Sequence, residues 1–254
     1  MIIDLSDRVV LVTGGGRGVG LGITAAFLHE GAQVVICGRT VPEPVEVDGK
    51  VAHFIQADLR NAEEAFALVD AVVEKYGRID VAVNNAGGSP PADAAEASPR
   101  FSQRIVELNL LAPLWVAQRA NHHMQRAGEG LIINICSVSG QRPSPGTAAY
   151  GAAKAGLLNL TKSLAMEWAP RVRVNAVVAG LVFTEQADLH YGGSEAIAEI
   201  EKTVPMGRMA SPMDIASACL YLASPLAEYV TGADLSVHGG GEPPPFLAAA
   251  DPTS

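Results

Sequence analysis

Arg8-Val9-Val10-Leu11-Val12-Thr13-Gly14-Gly15-Gly16-Arg17-Gly18-Val19-Gly20 runs from an apolar strand straight into a glycine-rich turn and then into a helical pattern. Glycine permits a tight turn and lets the backbone approach a phosphate closely. The helix that follows presents free amides and the positive end of its dipole to whatever lies over the turn. The common GxGxxG fingerprint does not fit this register, whereas Gly14-xxx-Gly18-x-Gly20 does. A strand, a glycine turn and a helix in that order open a βαβ unit.

Moving outward, the same rhythm repeats. Arg8–Thr13, Gln33–Cys37, Val51–Gln56, Asp80–Val83, Leu131–Ile135, Val172–Val177 and Asp234–Val237 read as strands. Several are nearly unbroken apolar runs, as expected of parallel strands buried on both faces. Val19–Glu30, Ala62–Tyr76, Arg100–Arg126, Ala149–Trp168 and Pro212–Ala223 read as helices between them. The pattern predicts an α/β, doubly wound parallel sheet of Rossmann type, about seven strands with helices on both faces. It forms a single domain over residues 1–240, with a Pro-rich tail over 241–254. Thr40–Lys50 carries Pro42 and Pro44 and has no room for a crossover helix, so either the sheet adjusts locally or the connection is an extended loop. In the tail, Phe246 and Leu247 either dock or remain mobile.

The bulk properties narrow the function. Over 254 residues, 48% are hydrophobic and 18% charged, a globular composition. A net charge of −9 argues against a nucleic-acid surface. Cys37, Cys136 and Cys219 are far apart and read as buried reduced thiols. His122 and His123 have no third ligand spaced to join them, so no metal is expected. The opening MIIDLSDR is not a signal peptide and no apolar run reaches 18 residues, which points to the cytoplasm and away from a membrane.

The second strand ends Cys37-Gly38-Arg39-Thr40, without the acidic side chain that would accept a ribose 2′-hydroxyl. Arg39, helped by Arg17, offers a guanidinium suited to a 2′-phosphate. NADP(H) is therefore expected ahead of NAD(H). Downstream, Ser137 ends the fifth strand, Tyr150 follows 13 residues later, and Lys154 lies four beyond that. Residues i and i+4 share a helix face. A phenol titrates near 10, and an adjacent ammonium favours its phenolate form. Ser137 can then hydrogen-bond a substrate oxygen while Tyr150 transfers a proton.

Taken with Asp58-Leu59, Asn84-Asn85-Ala86-Gly87, Asn109 and Gly180-xxx-Thr184, these motifs resemble the short-chain dehydrogenases/reductases, in their compact single-domain branch, over residues 5–240. The resemblance implies that Asp58 and Leu59 bracket the adenine and that Asn85, Ala86 and Gly87 line a cofactor ribose. It implies that Asn109 holds a water linking Lys154 to solvent, and that Lys154 also binds the nicotinamide ribose. Val182, through its backbone, and Thr184 would grip the carboxamide. Gly14, Gly16, Arg17, Gly18, Val19, Gly20 and Gly180 complete the expected cofactor contacts. The implied reaction is hydride transfer between NADP(H) and a carbonyl or secondary alcohol. A cofactor-binding regulator, or a lyase or epimerase on the same fold, is the alternative. The chain departs from the family at Ala179, where Pro is usual, at His238, where Asp is usual, and in its short 40–50 connection. The resemblance also places an apolar substrate loop at Leu181–Val204. Leu111, Trp115, Leu157, Leu158, Leu164 and Met166 cannot all be expected to face one core. Pairing of helices across two-fold axes, in a homotetramer or homodimer, would bury the rest.

Overall fold

The computed structural model describes residues 3–185, 187 and 191–243. Seven parallel strands form the main sheet. They are β1 (Val9–Thr13), β2 (Gln33–Gly38), β5 (His53–Gln56), β6 (Val81–Asn84), β7 (Gly130–Ser137), β8 (Val172–Ala179) and β9 (Asp234–Val237). Their order is β5-β2-β1-β6-β7-β8-β9. The winding therefore reverses between β1 and β6, and the crevice at the strands' carboxyl ends opens there. β1, β6 and the inner part of β7 are buried throughout, which is why they read as solid apolar runs.

Seven α-helices cover the two faces: α1 (Gly18–His29), α2 (Ala62–Tyr76), α3 (Pro99–Val106), α4 (Ala112–Ala127), α5 (Ala148–Trp168), α6 (Ser194–Lys202) and α7 (Pro212–Ala223), counted among the described residues. Phe27 and Ile23 of α1 and Ile215 and Leu222 of α7 build the core on one side. Leu68 and Val72 of α2 and Val116 and Met124 of α4 build it on the other. Local signals set the helix ends. Asn61 caps α2 by accepting from the Glu63 amide, and Gly77 closes that helix at φ 76°. Ser211 and Asp214 cap α7 reciprocally behind Pro212.

Two expectations change. Val51 does not open the third sheet strand. It pairs with Glu46 in a two-residue hairpin, β3 (Glu46–Val47) with β4 (Lys50–Val51), and β5 starts at His53. The short connection is thus a folded hairpin with its turn at Asp48-Gly49. The helix read over Arg100–Arg126 is interrupted by a π-helical turn at Glu107–Leu111. Pro113 lacks an N–H, so the regular ladder has no donor for the carbonyl one turn back, at Asn109.

A buried polar chain crosses the centre of the fold. Asn84 Nδ2 donates to Asn134 Oδ1 at 2.9 Å, Asn134 Nδ2 to Thr161 Oγ1 at 2.9 Å, and Thr161 Oγ1 to the Leu157 carbonyl at 2.8 Å. It joins β6, β7 and α5, and buried amides need such partners.

Of the six apolar residues thought too many for one core, Leu157, Leu158 and Leu164 are buried within the chain, while Met166 is 86% exposed. The three cysteines are free and buried, and burial pushes the Cys37 thiol up to about 12. No helix among the described residues is long and apolar enough to cross a membrane.

Candidate active site

β7 delivers Ser137 to the crevice, and α5 delivers Tyr150 and Lys154 from its first two turns. The Ser137 hydroxyl lies close enough to the Tyr150 phenol to favour its ionised form. Lys154 Nζ lies 5.7 Å from the Tyr150 ring centre and donates to the Ile135 carbonyl at 2.7 Å. Lys154 is 3% exposed, so its stem is fixed by packing. Ser139, the other hydroxyl near this strand end, instead has its amide on Ser137 Oγ at 3.2 Å.

The electrostatics depart from the sequence expectation. Burial holds the Tyr150 phenol above its ordinary value, and the neighbouring Ser137 hydroxyl opposes this only in part. Burial likewise holds the Lys154 ammonium below its ordinary value. Desolvation by the chain's own residues is the largest effect on both groups.

Asn109 is buried beside them. Its Nδ2 donates to the Gly88 carbonyl at 3.0 Å and the Ile105 carbonyl at 2.9 Å, and its Oδ1 accepts from the Gly88 amide at 2.8 Å. Both side-chain protons are thus committed to protein carbonyls. A methyl on Gly87 would stand 2.7 Å from Asn109 Oδ1 and 3.3 Å from Lys154 Nζ, so the three residues meet at one point.

The glycine turn is built for close backbone approach. A Cβ on Gly20 would stand 2.2 Å from the Gly14 carbonyl oxygen, and one on Gly16 2.7 Å from Pro42. Thr13 ties the turn to β6 through its hydroxyl, which accepts from the amides of Asn85 at 2.9 Å and Ala86 at 3.0 Å. Asn85 Nδ2 donates back to the Thr13 carbonyl at 2.9 Å. The first amides of α1, at Gly18, Val19 and Gly20, lack acceptors within the helix. The Gly18 amide donates to Glu185 Oε1 at 2.9 Å, so a carboxylate already sits where an anionic group fits. This donor set suits a dinucleotide's diphosphate.

Arg17 and Arg39 are exposed, and Gln56 Nε2 holds the Arg39 carbonyl at 2.9 Å. Arg39 lies close enough to Asp58 to help lower its pKa, after the larger effect of Arg60, whose guanidinium binds both Asp58 oxygens. Leu59 turns its side chain into the core. Gly180 packs on His238, whose Cα a methyl at Gly180 would meet at 2.8 Å. Val182 bridges to Ala210, and the Thr184 methyl lies over Gly18.

The expected substrate loop contains α6, with Ala187, Ile197 and Met209 forming a small core against Leu181 and Tyr191. Leu189 and His190 lie outside the described residues, as do Phe246 and Leu247. A cavity of about 160 Å³ opens behind Val138, walled by Leu181, Val204, Met206, His238 and Glu242. His238 Nδ1 is buried there without a hydrogen-bond partner among the described residues. Glu242 binds Arg142 at 2.5 Å. The Tyr191 phenol is raised by burial and by its neighbours Tyr150 and Glu242, which places it in the same cleft. No motif singles out Arg60, Glu185 or Glu242. Glu185 and Glu242 meet partners far along the chain, Gly18 and Arg142, which only the fold brings together, whereas Arg60 pairs with Asp58 two positions before it.

A family model described as enoyl-(acyl carrier protein) reductase matches residues 14–242. An uncharacterized oxidoreductase of Mycobacterium tuberculosis is 37% identical over 250 residues, 94% of this chain and 95% of the relative. The 3beta-hydroxysteroid dehydrogenase 1 of Eggerthella lenta is 38% identical over 249 residues, 94% of this chain and 95% of that one. The ligand-free aldohexose dehydrogenase of Thermoplasma acidophilum superposes with a TM-score of 0.88 at 32% identity, covering 100% of this chain and 99% of the other.

Proposed function

The chain belongs to the short-chain dehydrogenase/reductase family of oxidoreductases that act on CH–OH groups with nicotinamide cofactors, and from that premise we propose that it moves a hydride between NADP(H) and a carbonyl or secondary alcohol, with Tyr150 exchanging the proton. The observation that carries this reading is the meeting of Ser137, Tyr150 and Lys154 at the mouth of the glycine turn's crevice.

When bound, the nicotinamide supplies or accepts the hydride, and its oxidised ring carries a positive charge that favours phenolate. Tyr150 donates its proton to the carbonyl oxygen in reduction and takes it back from the alcohol in oxidation. Ser137 hydrogen-bonds the same oxygen and keeps Tyr150 oriented. Lys154, braced on Ile135, holds a positive charge beside the ring and binds ribose hydroxyls. The Asn109 carbonyl, without a donor from Pro113, accepts a water on the proton's route to solvent. Asn85, Ala86 and Gly87 line the ribose side, Asp58 and Leu59 the adenine side, and Val182 and Thr184 the carboxamide.

Arg39 and Arg17 support NADP(H) over NAD(H), because they are exposed cations beside a strand end without a carboxylate. Asp58, which lies close to Arg39, is paired with Arg60. The protein acts in the cytoplasm as a homotetramer on a small-molecule substrate. The test is loss of NADPH absorbance with a panel that includes a steroid ketone, an aldose-derived lactone, a cyclic ketone and a β-ketoacyl thioester. Turnover that Tyr150→Phe abolishes supports the reading. Tight NADPH binding without turnover on any carbonyl overturns it in favour of a cofactor-binding regulator.

A further inference from the structure

A hydrogen bond that the proposed reaction does not use joins the start of the expected substrate loop to the glycine turn. Glu185 directly follows Thr184 in the loop, and its Oε1 accepts from the Gly18 amide at 2.9 Å. Gly18 is the first residue of α1, so this amide is a free donor at the positive end of the helix. Gly18 has φ 53°, and a Cβ there would stand 3.7 Å from Thr184 Cγ2 and 4.0 Å from Glu185 Oε1. The loop therefore lies directly on the turn.

From this contact we infer that Glu185 is a latch that competes with the cofactor's diphosphate for the first amides of α1. The inference rests on the dinucleotide reading above. Two anions do not share one helix terminus without repulsion. The latch must therefore release before the diphosphate seats. Glu185 is a positioning residue, since it acts on the loop and not on reacting atoms. Binding to a protein whose competent state is only partly populated is weakened by that fraction. Removing the carboxylate should therefore tighten nucleotide binding.

The experiment measures dissociation constants of NADPH and NADH by nucleotide fluorescence for wild type, Glu185→Gln and Glu185→Ala. Adenosine 2′-monophosphate, which has no diphosphate, is the control. Glu185 is exposed, so the variants are expected to melt like wild type. The alanine variant is expected to bind both dinucleotides about three- to thirtyfold more tightly, with the glutamine variant between. Adenosine 2′-monophosphate affinity should stay unchanged. Without nucleotide, hydrogen exchange over 17–21 should be faster in Glu185→Ala than in wild type, because the Gly18 amide has lost its acceptor. Equal or weaker dinucleotide binding by Glu185→Ala, or unchanged exchange, overturns the latch. A wrong 2′-phosphate assignment changes only the NADPH to NADH ratio, not the shared gain. If no variant binds either nucleotide, the cofactor reading fails and the latch with it.

Discussion

Lys154 on α5 donates to the carbonyl of Ile135 on β7 at 2.7 Å, two residues before Ser137. α5 and β7 are thus joined by a buried ammonium whose pKa is depressed by burial.

That ammonium gives a stability signature with a definite sign. A cation whose folded pKa lies below its unfolded value binds fewer protons when folded, between the two values. Stability therefore rises with pH in that window, which here ends at the ordinary value of 10.5. Lys154→Met is expected to lose at least about 100-fold in turnover. The melting temperature of wild type relative to this variant should climb as pH rises from 7 toward 10. A constant difference across that range would show that the buried charge is not the cause.

Tyr150→Phe and Ser137→Ala are each expected to lower kcat about 10²- to 10⁴-fold while leaving the NADPH dissociation constant within about threefold of wild type. Because burial raises the phenol, reduction should hold its rate up to alkaline pH and oxidation should keep rising there. A kcat loss matched by an equal loss of nucleotide affinity would mean that the cleft itself had been disturbed.

Arg39→Ala is expected to weaken NADPH binding about 10- to 100-fold, the range for losing charge-assisted hydrogen bonds, and to leave NADH within about threefold. Isothermal titration with both nucleotides decides it. Equal losses for the two would remove Arg39 from 2′-phosphate recognition.

Asn109→Ala leaves the Gly88 amide without its acceptor and two carbonyls without their donor. An unmet buried group costs about 1–3 kcal/mol. At about 2–4 °C per kcal/mol for a chain this long, the melting temperature should fall by roughly 3–10 °C. An unchanged melt would show that water replaces the side chain at no cost.

Light scattering at micromolar concentration is expected to return four times the 26.4 kDa chain mass. A monomeric mass would overturn the tetramer. Met166, 86% exposed on α5, is the member of the apolar set that such an interface would have most to cover, with Leu111 and Trp115 half-buried.

The sheet was legible because each buried parallel strand is a solid apolar run, and such runs tolerate little ambiguity. Val51 escaped because a two-residue hairpin has no periodicity to read. The π turn at Glu107–Leu111 escaped because its signal is a single residue, Pro113, inside an otherwise helical pattern. The spacing of Ser137, Tyr150 and Lys154, read together with the strand end and the glycine turn, singled them out. It could not show the raised phenol, which depends on how completely neighbours exclude water. Nor could it show the Gly18–Glu185 contact, whose partners are 167 residues apart.

The Asn84–Asn134–Thr161 chain has a consequence at the far end of α5. Thr161 stands seven positions beyond Lys154 and eleven beyond Tyr150, on the same helical stripe, and Asn134 stands three before Ser137. The bond between them works like a keyway. It ties α5 to β7 about two helical turns beyond Lys154, so the rotation of α5 that brings Tyr150 and Lys154 toward Ser137 is also held from inside the core.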